Sequence, residues 1–222
     1  MENLLDNNAN GKHNHLKLKL GVSGAAETGH CGIDALEKAK ELGRQIALQG
    51  GILLTGATTG FPLWSAMGAK EAKGVSVGLS PAANEQEHVN AYRLPVDYMD
   101  LIIYTGFGYP GRDLLFTQSC DAVFIGCGRI GTIHEFTIAF EEGRPIGVLE
   151  GEWDMDEQIR DILAKGHRAN DKIVFDPDPA KLVAKVIELV IKNKVTEYKA
   201  AAIPDLDVAR AHTFDGVVQT GK

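Results

Sequence analysis

Short apolar runs alternate along the chain with longer stretches in which apolar residues recur at every third or fourth position. These are the signatures of buried strands and amphipathic helices. LKLKLGVSGAA predicts a strand entering a small-residue loop, and GIDALEKAKELGRQIALQG a helix closed by glycine. GILLTGATTG and FPLWSAMGAKEAKG repeat that unit. VSVGLSP is a third strand, followed by the polar NEQEHVNAYR, and DLIIYTGFG is a fourth. GRDLLFTQSCD is helical, AVFIGCG is a fifth strand, TIHEFTIAFEEG a helix and PIGVLEG a sixth strand. MDEQIRDILAKG, KIVFD and PAKLVAKVIELVIKNK add a helix, a short strand and a long last helix.

Such alternation predicts an α/β fold: a Rossmann-like, doubly wound parallel sheet of six to seven strands with helices on both faces. In such a sheet the loops that follow the strands emerge on one carboxyl edge, where ligands bind. Ser23–Cys31, Gly56–Gly60, Ser80–Glu85, Thr105–Arg112 and Gly126–Thr132 are therefore expected to meet there. Residues 16–194 are expected to form one nucleotide-binding domain. Residues 1–15 read as a mobile lead, and residues 195–222 as a tail that is disordered or packs on a partner subunit.

Composition narrows the ligand class. The 222 residues are 44% apolar and 24% charged, with a formal net charge of −7 and no basic stripe, so nucleic acid meets net repulsion. No apolar run is long enough for a membrane span, and the first residues lack the apolar centre of a secretory signal, so a cytoplasmic protein with no membrane partner is expected. Cys31, Cys120 and Cys127 show no CxxC spacing, and reduced thiols are the expectation. His30, His88 and His134 lie far apart in sequence, and no metal site is expected.

The densest chemistry lies in GCGRIGTIHEF, Gly126–Phe136. Gly126, Gly128 and Gly131 permit close backbone approach, and a helix starting near Thr132 turns unpaired amides and its dipole toward the loop, which suits a phosphate. Arg112 opens the preceding helix, so Arg112 and Glu135 come to the same edge, one base and one acid facing the anion loop. A second reading remains open: TIHE has capping-box spacing, with Glu135 folding back onto the Thr132 amide for about 1 kcal/mol of helix stability. The first loop, GVSGAAETGHCG, lacks the dinucleotide fingerprint, which disfavours a standard NAD site. Tyr109, beside Arg112, is a candidate to stack on a base.

CGRIGTIHE, Cys127–Glu135, resembles the PGGxGTxxE signature of the Lonely Guy (LOG) family, often labelled lysine decarboxylase-like, and Arg112 stands at the spacing of that family's upstream arginine. The resemblance extends over residues 17–150. It implies a Rossmann-like, dimeric phosphoribohydrolase that cleaves the N-glycosidic bond of nucleoside 5′-monophosphates, releasing base and ribose 5-phosphate without metal or redox cofactor. Gly128, Gly131 and Thr132 would hold the phosphate, Arg112 and Glu135 would be catalytic, and Gly24 and Gly56 would frame the nucleotide. Three positions depart from the pattern: Cys127 replaces the proline, Arg129 the second glycine, and Asp113 the lysine after the arginine. Arg129 would need positive φ if it copied that glycine, and its side chain would then block or replace part of the phosphate site. The chain also resembles bacterial molybdenum-cofactor carriers of the same superfamily, so the alternative function is a carrier or sensor of a nucleotide or phosphorylated pterin.

Overall fold

The computed structural model describes residues 17–168 and 171–200, with side chains up to Lys194. The strands are β1 (Lys19–Ser23), β2 (Ile52–Thr55), β3 (Val75–Ser80), β4 (Leu101–Tyr104), β5 (Ala122–Ile125), β6 (Ile146–Leu149) and β7 (Ile173–Asp176). They form one sheet in the order β4-β3-β2-β1-β5-β6-β7, parallel at every pairing. The expected Rossmann-like α/β architecture is therefore present, with seven strands among the described residues.

Central strands read as continuous apolar runs because both of their faces are covered. AVFI of β5 and IGVL of β6 are buried at every position, whereas LIIY of edge strand β4 exposes Leu101 and Ile103. Helices α1 (Ala35–Leu48), α2 (Phe61–Glu71) and α7 (Pro179–Ala200) pack on one face, and α4 (Gly108–Ser119) and α5 (Ile130–Glu141) on the other. α3 (Glu85–Asn90) and α6 (Met155–Lys165) complete the connections. Ala35, Ala39, Leu42 and Ile46 bury one stripe of α1, the periodicity that marked it as a helix. The last helix continues to Ala200, past the expected end at Lys194; the expected lead and the remainder of the tail lie outside the described residues.

The chain leaves β1 for β2 on one side, while β5 leads to β6 on the other, so the loops after β1 and β5 diverge. This is the topological switch point at which such sheets open a ligand crevice. Among the described residues, no helix is long and apolar enough to cross a membrane.

Helices α1 and α2 approach backbone to backbone. A Cβ at Gly43 would collide with the Ser65 carbonyl, and one at Gly68 with the Lys40 carbonyl. Gly43→Ala and Gly68→Ala should each lower stability by about 1–3 kcal/mol, the usual cost of overpacking. Gly29→Ala, whose Cβ meets open space, should stay within about 0.5 kcal/mol. Urea unfolding midpoints of the three variants check this contrast.

Candidate functional site

At the switch point the loops are stitched together by their own backbone. Gly126 N–H donates to Ser23 O at 3.0 Å and Ala25 N–H to Cys127 O at 2.8 Å, joining the β1 and β5 loops. Phe61 N–H donates to Ala25 O at 2.9 Å, and Thr59 Oγ1 to Ala26 O at 3.0 Å, joining the β1 and β2 loops. Gly60, at φ 68°, fits this seam because a Cβ would strike the carbonyls of Ala25 and Ala26.

The loops enclose a cleft of about 550 Å3, within the range of small-molecule sites. Gly24, Gly56, Arg112, Arg129, Gly131, Thr132 and Glu135 line it, as do Ser23, Tyr109 and Asp113. Gly128 instead lies behind the wall, where the Thr132 side chain leaves no room for a Cβ. The Ser80–Glu85 loop contributes no lining residue.

Glu135 is the centre of the floor. Its Oε1 accepts from Arg112 Nη1 at 3.2 Å, and its Oε2 accepts a hydrogen bond from Ser23 Oγ. Arg112 Nη2 lies 3.3 Å from Asp113 Oδ1, and Asp113 Oδ2 lies 2.9 Å from His134 Nδ1. Arg112, Asp113 and Glu135 are all buried. Gly56 is what admits the arginine, since a Cβ there would overlap the guanidinium. Burial pushes the Glu135 carboxyl up to about 7 from its ordinary 4.5; the Arg112 charge opposes that rise and the Asp113 charge adds to it. Arg112 Nε is buried with no hydrogen-bond partner among the described residues.

The capping-box reading of TIHE is corrected by this geometry. Helix α5 begins at Ile130 with Arg129 as its N-cap, so Thr132 is already inside the helix and its N–H bonds to Arg129 O at 2.9 Å. Glu135 sits a turn further on and points across to Ser23 and Arg112. The amides of Ile130 and Gly131 are the ones left without an intrahelical acceptor, and among the described residues no side chain caps them. Arg129 also departs from expectation: its φ of −131° is extended, so it needs no glycine-like conformation. Its guanidinium turns to the rim, pairing with exposed Glu27 at 2.9 Å.

Ser23 carries no expected role from the sequence, and Asp113 stands out there only as a departure from a family pattern. Ser23 is visible in retrospect as the last residue of β1, where its side chain reaches the carboxyl edge. The expectation of reduced thiols is corrected, because Cys31 and Cys127 are joined in a disulfide, with Cα atoms 5.9 Å apart. They are 96 residues apart in sequence and become neighbours only because β1 and β5 do. Cys120 is free and buried. Tyr109 lines the cleft with its ring 5.7 Å from the Arg112 guanidinium, whereas His88 is a buried structural residue held by Ser80 Oγ and Pro95 O.

The sequence profile of the SLOG cluster4 family matches residues 17–183. The chain belongs to the SLOG cluster4 family. Its fold is the nucleotide-binding fold of that family, within the LOG-type superfamily that the CGRIGTIHE segment resembles. An uncharacterized protein of Archaeoglobus fulgidus is 32% identical over 133 residues, covering 60% of this chain and 80% of its own length. Among solved structures, the molybdenum cofactor binding protein of the phototrophic bacterium Rippkaea orientalis is 27% identical with a TM-score of 0.65, covering 79% of this chain and 98% of that one. The Moco carrier protein of Chlamydomonas reinhardtii is also 27% identical at TM-score 0.65, covering 80% and 99%.

In this SLOG protein the raised Glu135 pKa links stability to pH. Between about 4.5 and 7 the unfolded chain has released this proton while the folded chain retains it. The carboxyl therefore makes stability fall as pH rises through that window. Glu135→Gln should remove that share of the slope, which urea midpoints across the same window will show; parallel slopes for the two proteins would contradict it.

Proposed function

We propose that the cleft binds a phosphorylated heterocycle, a nucleotide or a phosphorylated pterin, and carries it unchanged. One observation carries the reading: the start of α5, where the Ile130 and Gly131 amides lack intrahelical acceptors, lines the cleft, while Arg112 on the floor is already paired with two carboxyls. The Ile130 and Gly131 amides and the α5 dipole suit a phosphate. Arg112 is engaged by Glu135 and Asp113 rather than presented free to the cleft. A carboxylate that stabilises a developing sugar cation acts in its ionised form, whereas burial shifts the Glu135 carboxyl toward its protonated form. The solved carriers, which align over nearly their whole length, support the same reading.

On this reading residues 16–194 act as one nucleotide-binding domain. Gly24 and Gly56 frame the ligand, Gly131 and Thr132 form its phosphate end with Gly128 supporting Thr132, and Arg129 closes the rim. Exposed Leu101, Ile103 and Phe107 at the β4 edge are available for the homo-oligomer that the family resemblance implies.

A phosphoribohydrolase remains the second reading because of Asp113. It brings a second carboxyl to the floor beside Glu135, and paired carboxyls, one with a raised pKa, are what glycosidic hydrolysis generally uses. Equilibrium binding of nucleoside monophosphates and a phosphorylated pterin, with free base monitored in the same tubes, separates the two. The carrier binds without releasing base. Gly131→Asp, at a position where a Cβ meets open space, places a carboxylate at the anion end and should weaken binding about tenfold. Base release that disappears in both Glu135→Gln and Asp113→Asn would establish the hydrolase instead. An absence of binding across the panel would contradict both readings.

A further inference from the structure

Outside the cleft floor, a second group of chemically capable side chains meets where the β1 and β5 loops touch. His30, Cys31 and Cys127 place one ligand atom each within 4.8 Å of one another. His30 Nε2 lies 3.6 Å from Cys127 Sγ and 3.9 Å from Cys31 Sγ. It also lies 3.1 Å from Gly128 O, the carbonyl of a residue in the anion loop.

These distances have a specific chemical meaning. In a tetrahedral zinc site, Zn–S bonds of about 2.3 Å and Zn–N bonds of about 2.0–2.1 Å separate the nitrogen from each sulfur by about 3.6 Å. The imidazole nitrogen already stands at that separation from Cys127 and close to it from Cys31. The same geometry holds two sulfurs about 3.8 Å apart, so a disulfide and a bound ion exclude one another. Two thiolates neutralise a divalent cation, which suits a set running from buried Cys127 through half-buried Cys31 to exposed His30.

We propose that His30, Cys31 and Cys127 form a redox-gated site for a zinc-class divalent ion, of which the disulfide is the oxidised, metal-free form. Reduction by a phosphine breaks the Sγ–Sγ bond, delivering two electrons to the sulfurs. Water supplies two thiol protons and the oxygen of the resulting phosphine oxide. The ion then displaces both thiol protons, and the third ligand is the lone pair of His30 Nε2. In the disulfide form that nitrogen is positioned to donate to Gly128 O; as a ligand it carries no proton and the donation is lost. Metal loading thus releases one tether of the anion loop. The site goes beyond the carrier reading and needs no phosphorylated ligand, so either can fail alone.

The test uses the full chain, reduced anaerobically with a phosphine and titrated with Co2+ as a spectroscopic stand-in for Zn2+. One equivalent should bind with a thiolate-to-cobalt charge-transfer band and the visible bands of a tetrahedral centre, and Zn2+ should displace it. The oxidised protein and the Cys31→Ser/Cys127→Ser double variant should show no such band. His30→Ala, at an exposed side chain, should retain the wild-type circular dichroism and weaken uptake at least ~10-fold, the loss seen even for supporting partners of a metal ligand. No band in the reduced wild type, or a band that survives the double variant, would overturn the proposal. Uptake unaffected by His30→Ala would overturn the three-ligand site.

Discussion

A carboxyl shut away from water must be neutralised or paired, and the cleft is organised around how Glu135 meets that demand. Its partners come from different parts of the chain: Ser23 from the end of β1, Arg112 from α4, and Asp113 beside the arginine. Gly56, at the end of β2, supplies only the space through which Arg112 passes. One buried acid therefore ties together the loops after four strands. Removing one member of such a buried pair generally costs about 3–5 kcal/mol because the other charge is stranded. The floor is thus a structural joint before it is a chemical instrument.

That joint explains why the two ends of the cleft differ. At the floor, Arg112 is held between two carboxyls of the protein itself. At the α5 end, the helix opens with Arg129 turned to the rim, and Ile130 and Gly131, whose amides lack intrahelical acceptors, line the cleft. An anion entering there displaces no internal ion pair. The backbone bonds between the β1, β2 and β5 loops hold this arrangement in place, so the amides are set before a ligand arrives, which lowers the ordering cost of binding.

The fold was legible because parallel strands buried on both faces read as plain apolar runs, and because each helix buries a periodic stripe. The sheet's carboxyl edge then located Arg112 and Glu135 beside one another although 23 residues separate them. What stayed hidden depended on the exact start of α5. T-x-x-E spacing looks alike whether threonine caps the helix or lies inside it, and only the turn at Arg129 places Thr132 in the first turn. The extended φ of Arg129 was equally invisible, since the family pattern puts glycine there. The Cys31–Cys127 pair and its neighbour His30 escaped because no local spacing marks contacts made across the switch point.

On the proposed function, the exposed start of α5 is an anion site whose donors are backbone amides. Backbone amide NMR shifts during titration with inorganic phosphate test it directly. Saturable shifts should be largest at Ile130 and Gly131, with the Arg112 side-chain Nε resonance moving only if the anion reaches the floor. Saturable shifts centred elsewhere, with Ile130 and Gly131 unmoved, would contradict it.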